Sequence, residues 1–126
     1  MKVLLDTHAF LCAIGDEKRL SPKVSRLLAS AETWWSVVSV WEVLAKVAIG
    51  KLLLPQPTGA YLTRKLEANG VRVLPVSLSH VLRIESLPLH HRDPFDRLLI
   101  AQSIEEGWPI ITADPWFARY PVEIIW

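Results

Sequence analysis

Short apolar runs alternate along the chain with longer segments in which apolar residues recur at helical spacing. The short runs are rich in β-branched and aromatic residues, and they predict five strands at residues 2–5, 33–38, 71–76, 109–112 and 122–125. The longer segments predict helices at residues 7–14, from Ser21-Pro22 onward, from a Ser39 cap to 49, and at 58–68, 77–85 and 94–107, with a helical turn at 115–118.

Strands and helices follow one another in alternation, which predicts parallel strand pairing with right-handed crossovers. The strands are continuously apolar, as expected when helices cover both faces of a sheet. No linker, internal repeat or low-complexity tract divides the chain, so residues 1–126 are predicted to form a single domain. In sheets of this kind the functional crevice lies beyond the carboxyl ends of the strands, which indicates where to look for chemistry.

The composition is typical of a soluble globular protein, since 51% of the 126 residues are hydrophobic and 21% are charged. The formal net charge of +1 does not by itself indicate a nucleic-acid partner, although it is compatible with a basic stripe on one face. Cys12 is the only cysteine, and we find neither a signal peptide nor an apolar run that would span a membrane, which predicts a cytoplasmic protein. The six tryptophans fit either core packing or a surface for a dimer or partner.

Four acidic residues stand where a predicted strand ends or a predicted helix begins: Asp6, Glu42, Asp96 and Asp114. Each has a structural explanation when it is taken alone. Asp6 and Asp114 follow apolar strands and are good helix N-caps. Glu42 lies three residues after Ser39, as in a capping box, and Asp96 lies three residues after Asp93, which is assigned mainly a capping role.

Together the four acids indicate a metal site, because the crossovers bring their positions toward one edge of the sheet. Two carboxylates about 4 Å apart repel by about 4 kcal/mol at an effective dielectric of about 20, so several such pairs require a counter-ion or raised pKa values. A hard divalent cation with oxygen ligands, Mg²⁺ or Mn²⁺, is the simplest counter-ion. No cysteine–histidine cluster has zinc spacing, and His90 and His91 are interpreted as loop residues.

At these acids the sequence resembles the PIN-domain family, and within it the VapC-type ribonuclease toxins of type II toxin–antitoxin systems. Four segments carry the resemblance in the family's order: LLDTH at residues 4–8, SVVSVWEV at 36–43, HRDPFDRLLIAQ at 91–102, and TAD at 112–114 with Phe117 after it. Lys46 and the GKL sequence at 50–52 extend the second segment, so that the resemblance spans nearly the whole chain. Two departures, Cys12 and the Trp34-Trp35 pair, bear on packing and on the dimer surface but not on the acids.

The resemblance implies an α/β fold, a three-layer α/β/α sandwich with a parallel sheet of four or five strands. It maps the family's catalytic and metal-binding acids onto Asp6, Glu42, Asp96 and Asp114. It also implies an endoribonuclease toxin that depends on Mg²⁺ or Mn²⁺, a homodimer, and a VapB-type antitoxin partner whose tail occupies the cleft.

The hypothesis for the reaction is metal-assisted hydrolysis of a phosphodiester bond in RNA. Asp6 and Asp96 are the expected direct ligands, while Glu42 and Asp114 act through water. Thr7 and Thr112 either donate hydrogen bonds at the site or cap local turns. The candidate phosphate contacts, which could equally be surface charges, are Lys46, Lys51, Arg92 and Arg97. The expected substrate is single-stranded or loop RNA, such as regions of tRNA or rRNA, because A-form duplexes hide their base edges in a deep, narrow groove.

Two other function classes remain open. One is a non-catalytic PIN-like module that binds RNA or protein, which the presence of all four acids disfavours. The other is a phosphatase or phospho-acceptor domain with Asp6 as nucleophile; such enzymes usually place a second acid close behind, whereas Thr7-His8 follows here. A dinucleotide-binding domain is disfavoured, since no glycine-rich loop follows a strand.

Overall fold

Five parallel strands form one sheet at the centre of the computed structural model, which describes all 126 residues. The strands are β1 (Lys2–Leu5), β2 (Glu32–Ser36), β3 (Arg72–Leu74), β4 (Ile110–Ile111) and β5 (Ile124–Ile125), arranged in the order β3-β2-β1-β4-β5. The helices are α1 (Thr7–Ile14), α2 (Pro22–Leu28), α3 (Val37–Ala48), α4 (Thr58–Ala68), α5 (Leu78–Arg83) and α6 (Pro94–Glu106). None of these helices combines the length and the apolar character needed to cross a membrane.

The alternation of side chains along β1 divides the core between the two faces of the sheet. Val3 and Leu5 join one buried apolar cluster together with side chains from α1, α2 and α4. Leu4 points the other way and joins a second cluster with Leu99 and Ile100 of α6. Helices therefore cover both faces, and the predicted α/β/α sandwich with a parallel sheet is confirmed, with five strands.

Local sequence signals set several helix ends as predicted. The Ser21 hydroxyl accepts a hydrogen bond from the Val24 N–H at 3.1 Å, and it caps α2. The Asp93 carboxylate accepts one from the Asp96 N–H at 3.0 Å, and it caps α6. At its other end α6 stops at Gly107, whose φ of 71° lies in the left-handed region that a residue without a Cβ adopts readily.

The predicted start of α3 is wrong. Strand β2 ends at Ser36, and the hydroxyl of Ser36, rather than that of Ser39, caps the helix by accepting a hydrogen bond from the Val38 N–H at 3.0 Å. The β-branched pair Val37-Val38, which predicted a longer strand, forms the first helical turn instead. Ser36 is buried and donates to Gln102 of α6, so a tertiary contact outweighs the local strand propensity.

Three strands, β3, β4 and β5, are also shorter than predicted, and prolines lie beside them. Pro75 follows β3, Pro109 precedes β4, and Pro121 lies before β5; proline has no N–H to donate to a strand ladder. The predicted helix at 77–85 divides into α5 and a 3₁₀ turn at Ile84–Ser86. A further 3₁₀ turn at Glu17–Arg19 was not predicted, while the predicted turn at 115–118 is a 3₁₀ helix, Pro115–Arg119.

Replacement of Phe10 by alanine should destabilise the fold strongly. The Phe10 ring is fully buried between α1 and the sheet, and its centroid lies 4.2 Å from that of Trp35. Loss of the ring leaves a cavity and should lower the free energy of unfolding by about 3–5 kcal/mol in urea titration. Leu53→Ala is the matched control, because Leu53 is 93% exposed and its truncation should change stability by less than about 0.5 kcal/mol. Equal effects of the two substitutions would contradict the described core.

Candidate active site

The parallel sheet delivers acidic residues from four separate parts of the chain to one pocket. Asp6 follows β1, Glu42 lies in α3 after β2, Asp96 lies in the first turn of α6, and Asp114 follows β4. All four line the same small pocket, together with Thr7, His8, Lys46, Asp93 and Phe117. The pocket lies beyond the carboxyl ends of the strands, where the topology rule places functional crevices. The structure thus brings together every predicted site residue, while their catalytic and metal-binding roles stay predictions.

Asp6 both caps a helix and faces the pocket. Its carboxylate accepts a hydrogen bond from the Ala9 N–H at 2.6 Å, which is the N-cap arrangement of α1. Burial raises the pKa of Asp6, while hydrogen bonds from Thr112 and from the Ala9 backbone oppose that rise. The nearby charge of Asp114 raises the pKa further. Asp6 therefore caps α1 and also lies at the pocket, so the structural explanation does not exclude the predicted functional one.

Glu42 is buried and is held by two side chains at once. The Thr7 hydroxyl donates to its Oε1 at 2.6 Å, and the Lys46 ammonium donates to its Oε2 at 2.5 Å. The hydroxyl of Ser39 lies 2.9 Å from that of Thr7 and so supports the same group. The predicted capping box between Ser39 and Glu42 is wrong, because the helix starts three residues earlier and Glu42 lies in its second turn.

Glu42 and Lys46 lie four residues apart in α3, a spacing that favours an ion pair, and the structure forms that pair. The hydrogen bond to Glu42 is the main reason that the pKa of Lys46 is raised, so the ammonium stays charged beside the acids. Lys46 is one of the four basic candidates for phosphate contact and lies at the pocket. Arg97 instead donates to the Pro88 carbonyl at 2.9 Å and to the Tyr120 hydroxyl at 3.2 Å, while Lys51 and Arg92 are exposed.

The ionised form of Asp96 is disfavoured by burial and by neighbouring negative charges. Burial raises its pKa to about 6, the charge of Asp93 adds to that rise, and the charges of Glu42 and Asp114 act in the same direction. A hydrogen bond with His91, whose Nε2 lies 3.2 Å from Asp96 Oδ2, opposes the shift. Sequence reasoning treated His91 as a loop residue, and it missed this contact because the contact depends on the path of the loop before α6.

Asp114 caps the 3₁₀ helix that follows β4. Its Oδ1 accepts a hydrogen bond from the Trp116 N–H at 2.9 Å, and its own N–H donates to the Thr112 hydroxyl at 3.0 Å. Thr112 therefore contacts both Asp114 and Asp6, and it ties the two acids to the end of one strand. Of the two predicted roles for Thr112, hydrogen bonding at the acids and capping of a turn, the structure shows both.

The donor set of the pocket fits a hard divalent cation by its chemistry. The acids offer carboxylate oxygens, which hard cations prefer. The lining contains no cysteine and a single histidine, His8. Burial, followed by the charges of Asp93, Glu42 and Asp114, raises the pKa of Asp96, and a bound cation would oppose this rise because it favours the ionised carboxylate. As the side chains stand, no three acidic, histidine or cysteine groups are placed to hold an ion together. Ligation would thus require the carboxylates to move closer together.

Comparison with known proteins agrees with this geometry. The PIN domain family model matches residues 3–123. Ribonuclease VapC22 of Mycobacterium tuberculosis strain H37Rv is 31% identical over 114 residues, which covers 89% of this chain and 86% of that protein.

Solved structures share the fold at lower identity. A chain in the crystal structure of VapBC2 from Rickettsia felis, bound to a DNA fragment from its promoter, has a TM-score of 0.74 at 15% identity and covers 99% of this chain and 98% of that one. A chain in the crystal structure of FitAcB from Neisseria gonorrhoeae has a TM-score of 0.63 at 23% identity, with 98% and 96% covered.

In metal-free protein, the Asp96 carboxyl should weaken the fold as the pH rises. Its folded pKa of about 6 lies above the ordinary value of 3.8, so the native state still holds a proton that the unfolded chain releases first, and stability falls as pH rises through about 6. Asp96→Asn removes this effect. It should raise the free energy of unfolding by about 1–2 kcal/mol at about pH 8, after allowance for solvent access, and the gain should vanish below about pH 4.

Urea titration in EDTA at several pH values measures this difference. Asp16→Asn is the matched control, because Asp16 is exposed, makes no side-chain cap and loses the same charge. Its pH profile should follow that of the wild type. An Asp96→Asn profile parallel to the wild type across the whole range would contradict the raised pKa of Asp96.

Proposed function

This chain belongs to the PIN domain family, and on that premise we propose that it is a metal-dependent endoribonuclease that acts as the toxin of a VapBC-type pair. The convergence of Asp6, Glu42, Asp96 and Asp114 in one pocket is the observation that carries the proposal. The relative from Mycobacterium tuberculosis is named a ribonuclease, which supports the same reaction class. Cleavage of cellular RNA would take place in the cytoplasm.

We propose different roles for the four acids toward the cation. Asp6 and Asp96 are the proposed direct ligands of Mg²⁺ or Mn²⁺, and Glu42 and Asp114 would act through water. When bound, such an ion would polarise the phosphoryl oxygen and lower the pKa of a coordinated water molecule. The raised pKa of Asp96 predicts that ion binding and loss of the Asp96 proton are linked, since a cation favours the ionised carboxylate.

The remaining residues of the pocket hold the acids in place. Thr7 fixes the Oε1 of Glu42, so that this carboxylate cannot rotate away from the pocket. Lys46 fixes the Oε2 and supplies a positive charge beside the position that a phosphate would occupy. The backbone caps at Asp6 and Asp114 restrict both side chains further. Such restriction lowers the cost of assembling the reacting groups.

RNA is proposed to enter along a groove that continues from the acidic pocket. The groove shares Asp6, His8 and Asp114 with the pocket and carries Arg19 and Trp126 on its walls. Arg19 can neutralise backbone phosphate, and an indole offers a face for base stacking. A recessed acidic pocket favours single-stranded or loop RNA, such as exposed regions of tRNA or rRNA, because a splayed strand can reach it.

The proposed protein partners are a VapB-type antitoxin and a second copy of the chain. Structural neighbours include VapBC complexes and a toxin–antitoxin complex from Klebsiella pneumoniae. Exposed apolar side chains lie along one face of α3, at Val37, Trp41 and Leu44, and on α5, at Leu78, Val81 and Leu82. Both helices contact α6, and apolar faces of this kind mark interaction sites in soluble proteins. We assign this surface to the homodimer.

Asp6→Asn and Asp96→Asn should each lower RNA cleavage by at least about 100-fold, because each removes a proposed ligand charge. Asparagine retains the capping oxygen at position 6, so α1 should remain folded. The assay follows cleavage of a single-stranded RNA with added Mg²⁺ or Mn²⁺, with EDTA as the metal-free reference. Asp16→Asn should cleave at the wild-type rate. Unchanged cleavage by Asp6→Asn, or cleavage that persists in EDTA, would overturn the assignment.

Leu82→Glu should convert the proposed dimer into a monomer. The side chain is 59% exposed in the isolated chain, so a charged replacement leaves the fold intact but cannot be buried in an apolar interface. Light scattering coupled to size exclusion measures the mass of each variant. Leu53→Glu, at an exposed position between α3 and α4, should remain dimeric. A monomeric wild type would refute the assignment of the α3–α5 surface to a homodimer.

A further inference from the structure

His91 lies in the loop before α6 and makes polar contacts through both ring nitrogens. Its Nδ1 lies 2.7 Å from the Tyr120 hydroxyl, and its Nε2 lies 3.2 Å from Oδ2 of Asp96. The neighbouring His90 is exposed, and its ring meets the Tyr120 ring edge-on. Only the second of the two adjacent histidines therefore reaches the acidic pocket.

The contacts of Tyr120 determine where the proton of His91 resides. The tyrosine oxygen accepts one hydrogen bond from the backbone N–H of His91 and one from Nη1 of Arg97, each at 3.2 Å. A phenol oxygen has room for two accepted bonds and has one proton to donate, so its proton goes to the third neighbour, Nδ1 of His91. Nδ1 is then an acceptor without hydrogen, and the ring proton lies on Nε2.

The same assignment follows independently from the other side of the ring. An ionised carboxylate only accepts hydrogen bonds, so the contact with Asp96 requires a proton on Nε2. The Asp96 contact requires hydrogen on Nε2, and the Tyr120 contact leaves Nδ1 without hydrogen, so the two together specify the neutral imidazole with hydrogen on Nε2. The ring is also held from its face, since it stacks on Trp116 with centroids 5.4 Å apart and planes 7° apart. Its orientation is fixed by three neighbours.

We propose that His91, as the neutral Nε2–H tautomer set by Tyr120, is a positioning residue that holds the Asp96 carboxylate at the acidic pocket. The proposal rests on the proposed function, because Asp96 is the proposed ligand. Asp93, Glu42 and Asp114 repel the Asp96 side chain, which would otherwise turn toward solvent. A neutral donor opposes that turn without cancelling the negative charge. Lys46 differs in this respect, since it neutralises Glu42. Partners that orient metal ligands in this way typically contribute about 10- to 100-fold in affinity or rate.

The tautomer can be read directly in the metal-free wild-type protein. Long-range ¹H–¹⁵N correlation spectra at neutral pH should show His91 Nε2 with the shift of a protonated ring nitrogen and Nδ1 with that of an unprotonated one. A proton on Nδ1, whether the ring is neutral or doubly protonated, would overturn the proposal. This measurement does not depend on nuclease activity.

Substitutions test the positioning role itself. His91→Ala should weaken Mn²⁺ binding, measured by calorimetry with the metal alone, by about 10- to 100-fold and should lower kcat for single-stranded RNA similarly, with KM unchanged. His91→Gln, whose amide can donate at the place of Nε2, should recover most of both. His90→Ala is the matched control and should resemble the wild type.

Wild-type Mn²⁺ affinity and kcat in His91→Ala would overturn the proposal, as would equal losses in His91→Ala and His91→Gln. A wild type that binds Mn²⁺ but cleaves no RNA would instead contradict the proposed function. In that case the tautomer and the Mn²⁺ affinities of the variants still decide the role of His91.

Discussion

Repulsion among the carboxylates of the pocket is the constraint that the rest of this structure must offset. A parallel sheet sends its strand ends to one edge, and four of the segments that leave that edge carry an acid. Charges gathered in this way oppose folding unless they are held by other forces. The two buried apolar clusters on either face of the sheet supply those forces, since neither cluster contains an acid. The pocket is thus kept together by packing that lies behind it.

Each acid is held against repulsion in a different way. Asp6 and Asp114 accept backbone N–H groups at helix starts, where the exposed amides favour negative charge. Glu42 is paired with an ammonium, and Asp96 is left with a neutral imidazole. The charge is therefore neutralised at one side of the pocket and retained at the other. This asymmetry distinguishes Asp96 from Glu42, because the raised pKa of Asp96 is not offset by a direct ammonium partner.

The sequence predicts the architecture and the identity of the acids better than it predicts their partners. The order of strands and helices and the position of Asp6 and Asp114 after apolar runs follow from local patterns that the fold preserves. Glu42 was assigned a local partner, Ser39, because a capping box is defined by spacing alone. The hydroxyl that holds its Oε1 belongs to Thr7, which is 35 residues away in sequence, and such a contact exists only after β1 and β2 have paired. The role of His91 is hidden for the same reason, since Tyr120 lies 29 residues further on.

The spacing between the acid-bearing helices depends on buried hydrogen bonds remote from the acids. Ser36 caps α3, which carries Glu42, and its hydroxyl donates at 2.5 Å to Gln102 of α6, which carries Asp96. The Gln102 amide in turn donates to the Pro75 carbonyl at 3.2 Å, so α6 is also tied to the end of β3. These groups are buried, and a buried polar group without a partner is costly, so the helices cannot slide past each other without breaking the bonds. The alignment of Glu42 and Asp96 is therefore a property of the core as much as of the pocket. Substitutions at Ser36 or Gln102 would therefore change the relative positions of Glu42 and Asp96, although neither residue lines the pocket.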